Sequence, residues 1–526
     1  MSVAITGDTA APSDSAGPSG ISRARDRRRQ RRTASAVIQG APYVTRRIPT
    51  YDILEEENLA RIEKVAERIL AEIGIDFRGG DTASLDLWRR AGAEVTGENV
   101  RFPPGLLTET LRSAPTTFTQ IARNPARSVE IGGPNVVFSP AYGSPFVMDL
   151  DRGRRYATLE DFENFVKLAY GSPHLHHSGG TVVEPTDVPV NKRHLDMVYA
   201  HIRYSDRAFM GSVTAEERAE DSIGMARILF GADTLEHACG IIANFNVNSP
   251  LVWDATMTRG IRAYARANQG TVIVPFILGG AMGPVTSAGA IAQAHAETLV
   301  GCALAQLERP GAPVIYGNFL SSMSLRSGSP TFGTPEPAVG SLVVGQLARR
   351  AGLPLRCSGA FTTSKLPDAQ STMESATSMQ AAILCGANFI LHAAGFLDGL
   401  LSMSYEKFVL DADYCGALAR YCDGVSVTDN DLALEAFREV GPGNHFFGCA
   451  HTMSNYETAF FDAALSDNTT YEQWSEAGGD DSATRANRTW KRMLQEYEAP
   501  PLDDAIDEAL KDFIARRKRS MPDAWY

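Results

Sequence analysis

The chain has 526 residues, 44% hydrophobic and 21% charged, with a formal charge of −12, a composition that allows a sizeable core and excludes fibrous and wholly disordered classes. Seven Arg against three Asp give residues 1–33 a net charge of +4, which leaves the body at −16. An acidic body argues against a nucleic-acid enzyme, because neutralising phosphates needs a basic face.

Residues 1–45 are rich in Ser, Ala, Gly and Pro, then in Arg over 23–32, and read as a disordered basic arm. Order is expected to begin near Pro49, where Leu54, Leu59, Ile62, Val65, Ile69 and Ile73 recur at helical spacing. They open an α+β segment over 46–133, with further helices at 85–91 and after Pro103 and Pro104.

Short apolar runs then alternate with helix-like stretches, at 136–138, 178–183, 208–213, 241–247, 272–278, 314–320, 355–361 and 389–393. Their starts lie 30 to 42 residues apart, the length of a strand, a crossover helix and two loops. A doubly wound sheet would show the same alternation. The count of eight, and the lack of GxGxxG after the first run, favour a (β/α)8 TIM barrel over 134–450. Residues 289–307 and 369–384 read as Ala-rich helices, and 404–440 as helical with a break near Gly424. A helical segment over 451–526 closes the chain, with amphipathic stretches at 487–497 and 502–517.

Seven cysteines without a CxxC pair, from Cys239 to Cys449, fit reduced thiols in the cytoplasm. No apolar h-region opens the chain and no apolar run approaches the roughly 18 residues of a membrane helix. Neither secretion nor membrane insertion is expected.

Barrel chemistry comes from the C-terminal ends of strands. Here they offer Tyr142 and Phe146, Glu184, Thr214, then Asn244, Asn246 and Asn248, then Phe276, Asn318, Phe319 and His392. Rings and amides suit a cation that donates no hydrogen bond, each desolvated ring contributing about 2 kcal/mol. Single rings such as Phe245, Phe276 and Phe319 equally suit barrel packing, so only a cluster carries weight. His174, His176 and His177 precede the second run, on the face of a barrel that is usually inactive, and Cys449 with His451 lacks ligand spacing. No tightly bound metal is expected, and no GxSxG marks a hydrolase.

Four stretches carry a family resemblance: NSPLVWDATM at 248–257, GGAMGPVTSAGAIAQAHAETLVGCALAQLERPGAPVIYG at 279–317, KLPDAQSTMESATSMQAAILCGANFILHAAGFLDG at 365–399, and GPGNHFFGCAHT at 441–452. In order and spacing the chain resembles the trimethylamine methyltransferase (MttB-like) family from about Tyr51 to Arg517. The resemblance implies methyl transfer from an amine to the cobalt of a corrinoid carried by a separate protein, with no cofactor held tightly by this chain. Pyrrolysine, which the archaeal members carry at a strand end, is absent, and its place falls near 364–368. Non-pyrrolysine relatives act on glycine betaine and other quaternary amines, whose leaving group is already a neutral amine and needs no general acid.

Within that scheme Tyr142, Phe276, Phe319 and Phe361 are expected as cage walls and Asn246 and His392 as orienting polar groups. His445 and Phe446 are expected to close the mouth. Asp368 and Gln370 fall at the rim, with a helix N-cap an equal reading for Asp368. A corrinoid protein and a homo-oligomer are the expected partners. The rival readings are a methyltransferase that takes methyl from a tertiary amine or another donor directly to folate, and a betaine-binding protein without turnover.

Overall fold

The structure, a computed structural model, describes residues 40–525. Most of the basic arm expected at the N-terminus lies outside them. Order is already present before Pro49: Val44–Thr45 pairs antiparallel with the start of the first barrel strand, because Val44 buries its side chain there.

The main sheet places Asn135–Phe138, Phe389–Leu391, Leu355–Ser358, Val314–Gly317, Gly270–Gly279, Ile241–Val247 and Phe209–Met210 side by side. All neighbours are parallel. Six of the eight expected runs hold a strand in one piece. The run at 314–320 is split, with Phe319–Met323 continuing beside Gly270–Gly279.

The run expected as strand two, 178–183, forms no continuous ladder. It still closes the barrel. On one side the His176 amide donates to Phe138 O (3.0 Å) and Glu184 to Ser144 O (2.8 Å). On the other side Ser178 donates to Ala208 O (2.9 Å), and Met210 donates to Gly179 O (2.8 Å). The reason for the irregularity lies in Gly179, at φ +95°, and Gly180, where a Cβ would lie 2.8 Å from the Tyr142 ring. Imidazoles supply what the ladder lacks. His201 Nδ1 accepts from Ser178 Oγ (2.7 Å) while its Nε2 donates to Gly180 O (2.7 Å). The Phe138 amide donates to His176 Nδ1 (3.0 Å), and the Gly179 amide to His177 Nδ1 (3.0 Å).

The N-terminal segment is a four-stranded sheet, Val252–Asp254, Ile75–Arg78, Asn99–Arg101 and Glu94–Thr96, with one strand borrowed from the barrel. Its helices Glu56–Arg68, Thr82–Ala91 and Leu106–Leu111 pack on helix Ser287–Glu308. That helix is therefore covered by the barrel on one side and by this segment on the other. Its alanines allow the close approach, and it shows no polar face over most of its length. Glu297 within it accepts from Ser249 Oγ (2.6 Å) and the Leu251 amide (2.7 Å), which fixes the loop after the fourth strand.

Helix Tyr405–Cys422 follows the eighth strand and runs back to the N-terminal end of the barrel, where Cys422 O accepts from the Arg47 amide (2.8 Å). Helices Ser482–Gln495 and Asp504–Arg519 close the chain, the first against Tyr405–Cys422.

Burial holds the His201 imidazole neutral, down to about 4 from 6.5. The unfolded chain takes up that proton as pH falls below 6.5 and the folded chain does not, so stability is full above 6.5 and lost toward pH 4. The cost of this one group approaches about 3 kcal/mol. Melting curves of wild type and His201→Gln at pH 7.5 and 5 should show a smaller acid-induced loss in the variant.

Candidate active site

The C-terminal mouth of the barrel gathers most of the rings that the strand ends promise. Phe276 and Phe319 face each other from neighbouring strands, in register, with centroids 4.9 Å apart. Phe361 lies 4.9 Å from Phe319, and the His392 ring 5.5 Å from Phe319 and 5.4 Å from Phe361. Two rings that the sequence did not single out complete the group. Phe396 stands 4.7 Å from Phe361, and Phe332 stands 5.5 Å from both Phe361 and Phe396.

The local chain explains the convergence. Gly359, just past the seventh strand, approaches strand eight so closely that a Cβ would meet His392 O at 2.2 Å. That approach lets the Ala360 amide donate to His392 O (2.7 Å) and sets Phe361 beside the imidazole. His392 itself takes a positive φ of 68°. The following turn, through Gly395 at φ +93°, then brings Phe396 back to the same cluster.

A charge sits under these rings. Arg356 on the seventh strand is 1% exposed, with its guanidinium 5.3 Å from the Phe319 centroid. It donates to Asn318 O and, at 3.1 Å, to His392 Nδ1. No carboxylate pairs with it among the described residues, and its Nε meets no acceptor. Burial lowers its pKa to about 10, so it remains a cation at neutral pH. His392 is pushed well below its usual value by burial and then by Arg356, and with Nδ1 accepting, its proton resides on Nε2. Among the described residues Nε2 has no hydrogen-bond partner, although the Tyr142 backbone faces the ring.

The rest of the rim is more open. Tyr142 is half-buried and interacts with Thr181; burial and the nearby Glu184 raise its phenol to about 12. Glu184 is itself ion-paired with Arg193. Asn246 is exposed and accepts from Asn244 Nδ2 (2.9 Å), while Asn244 Oδ1 is left without a donor. Phe276 is half-buried, unlike Phe319, Phe361 and Phe396 behind it.

Asp368 caps helix Ala369–Leu384, accepting from the Ser371 amide (2.9 Å) and from Ser364 Oγ (2.8 Å). Gln370 is tied to Glu374 (3.0 Å). The stretch 364–368 is thus bound up in its own turn. His445 and Phe446 are not brought to the rings. Their aromatic neighbours are Phe447 and Phe437, in a segment that leaves the body at the N-terminal end of the barrel. The reason is the helix Tyr405–Cys422, which carries the chain away from the mouth before that loop begins. His176 and His177 brace backbone, as described, the His174 ring lies 6.1 Å from that of Phe461, and no grouping of three metal-ligating side chains occurs among the described residues.

A closed eight-fold barrel with an aromatic mouth over a buried cation defines a small-molecule barrel enzyme. The chain belongs to the trimethylamine methyltransferase (MTTB) family, whose profile matches residues 21–522. It is 41% identical over 475 residues to a glycine betaine methyltransferase of Desulfitobacterium hafniense (strain Y51), covering 90% of this chain and 98% of the relative. A proline betaine:corrinoid methyltransferase of Eubacterium limosum is 27% identical over 421 residues, 77% of this chain and 85% of that one. A trimethylamine methyltransferase MttB of Desulfitobacterium hafniense (strain DSM 10664 / DCB-2) is 25% identical over 473 residues, 87% and 92% of the two chains.

The burial difference between rings gives a direct expectation. Phe396→Ala removes a fully buried ring and should cost about 3 to 5 kcal/mol of stability. Phe276→Ala, at a half-buried position, should cost only about 1 kcal/mol. Denaturant titration of both variants measures the contrast.

Proposed function

We propose that this chain transfers a methyl group from a small quaternary amine that also carries a carboxylate, of the glycine betaine type, to the cobalt of a corrinoid held by a separate protein. The observation that carries the reading is the buried Arg356 beneath the rings. A cation of this kind repels a plain quaternary ammonium, and burying it without an anion is costly. A zwitterion satisfies both parts, its ammonium against ring faces and its carboxylate on the guanidinium. The kinship with glycine betaine and proline betaine methyltransferases supports the same class of donor.

The residues then divide the work. Phe276, Phe319, Phe361 and Tyr142 form the walls about the trimethylammonium group, with Phe332 and Phe396 backing them. Arg356 binds the carboxylate and, with the Nε2 proton of His392, fixes its direction. Asn246 orients the substrate from the far wall. The corrinoid supplies a two-electron nucleophile; this chain's task is to exclude water and to hold one N–CH3 axis toward the open mouth. The N–CH3 bond breaks with its electron pair left on nitrogen, so a neutral tertiary amine departs and no proton is required. Fixing that geometry can contribute about 7 to 11 kcal/mol.

No helix of the described residues is long and apolar enough to cross a membrane, and all seven cysteines are buried and free, which supports a cytoplasmic enzyme. We read His445 and Phe446 as serving an interface instead of this chain's own mouth, in keeping with a homo-oligomer.

Purified protein given cob(I)alamin and glycine betaine should yield methylcobalamin and dimethylglycine. Arg356→Met keeps an apolar group of similar length in the core and should weaken glycine betaine binding by about 1.5 to 3 kcal/mol while leaving choline binding unchanged or tighter. Calorimetry in which the variant binds both compounds as wild type does would refute the carboxylate assignment. Methyl appearing on folate without cobalt would refute the acceptor.

A further inference from the structure

Large apolar side chains are exposed in one region out of proportion to its length. Of the 25 that are exposed among the described residues, 13 fall within residues 421–471. They include Val425 (89% exposed), Leu434 (58%), Phe437 (60%), Phe447 (85%), Met453 (60%) and Phe460 (85%). Scattered single residues of this kind are ordinary; a concentration of them marks an interaction surface.

The segment has little of its own to hold it. Its helices, Asp429–Leu432, Leu434–Val440, Ala450–Asn455 and Tyr471–Glu476, have only 4 to 7 residues, whereas isolated helices need about 12 to 15 to be even marginally stable. None of them packs substantially on another helix or strand of the described residues. The return to the body is made at a few points. The Ala464 and Leu465 amides donate to Asp413 (2.9 and 3.1 Å), and Phe461 meets the His174 ring at 6.1 Å.

We infer that residues 424–480 are an arm that docks on a second copy of this chain. The occupant is not the protein that accepts the methyl group. That partner must reach the C-terminal mouth, and the arm departs from the opposite end of the barrel, after Cys422 O has bonded to the Arg47 amide. A methyl carrier must also dissociate each cycle, while a surface this rich in exposed Phe, Leu and Val has the character of a permanent interface, most often between identical subunits. Residues 424–480 hold ten Asp and Glu against one Arg, a net of −9, and the rest of residues 34–526 is also acidic, at −7, so the docking rests on apolar contact and not on charge attraction.

The test uses the full-length chain and measures its mass in solution by light scattering. Wild type should give a multiple of 56.8 kDa. The double variant Phe447→Glu/Phe460→Glu changes two side chains that touch little of their own subunit, and should give the single-chain mass with an unchanged circular dichroism spectrum. Val65→Glu, exposed outside the arm, should keep the wild-type mass. A wild type of single-chain mass at about 10 µM would overturn the inference, as would a double variant that retains the wild-type mass. The latter result, combined with loss of methyl transfer to a corrinoid protein, would assign the surface to that partner. If the double variant loses its fold, amide exchange of the wild type replaces it. Protection over 425–471 must then rise with protein concentration, and protection independent of concentration would sink the proposal.

Discussion

A guanidinium held inside the barrel, with no carboxylate paired to it among the described residues, sets the terms for everything around it. Burial has lowered its pKa only to about 10, so Arg356 is charged at any physiological pH. The protein gives it a backbone carbonyl and one imidazole nitrogen, which solvate the charge in part and do not neutralise it. His392 must be neutral to accept that hydrogen bond, and being neutral it presents its proton on the other nitrogen. One buried cation thereby fixes the protonation state of its neighbour and leaves a positively polarised floor beneath a set of ring faces. In the proposed reading the floor meets the carboxylate of a betaine and the walls its ammonium.

The scaffold is stiff where this arrangement needs it. Strand two, which cannot run as a regular ladder past Gly179 and Gly180, is held by His176, His177 and His201, each used as a neutral hydrogen-bonding group. Its partners Phe138, at the end of strand one, and Ser144, in the segment that follows, lie on either side of Tyr142 in the chain. The loop after strand four is tied by Glu297 to a helix that is itself clamped between barrel and N-terminal segment. Strands seven and eight come together through Gly359. Three separate devices thus hold the mouth, and none of them is a phenylalanine ring of the cluster.

Much of this was legible in the sequence because it depends on local pattern. Eight apolar runs at regular spacing gave the barrel, and the apolar period gave the helix Glu56–Arg68. Rings at strand ends gave Phe276, Phe319 and Phe361, whose meeting follows once the barrel is known. Phe332 and Phe396 were missed because neither lies at a strand end; they come back to the cluster through loops, and loop paths leave no periodic trace. Arg356 had left a signal, a charge inside the otherwise apolar run at 355–361, and a charge in a buried strand always asks for a partner. The expectation that His445 and Phe446 close the mouth rests on the family resemblance of the GNHFF loop, which carries no information on where that loop lies in space. The length of helix Tyr405–Cys422, which carries the chain to the other end of the barrel, is what separates these residues from the mouth.

The account turns on the claim that one molecule bridges the rings and Arg356. A crystal structure of the protein with glycine betaine tests it directly. The account predicts the trimethylammonium nitrogen within about 6 Å of the Phe276, Phe319 and Phe361 centroids, with a carboxylate oxygen within about 3 Å of an Arg356 nitrogen. A betaine bound with its carboxylate toward solvent, and Arg356 still paired only with Asn318 O and His392, would contradict it.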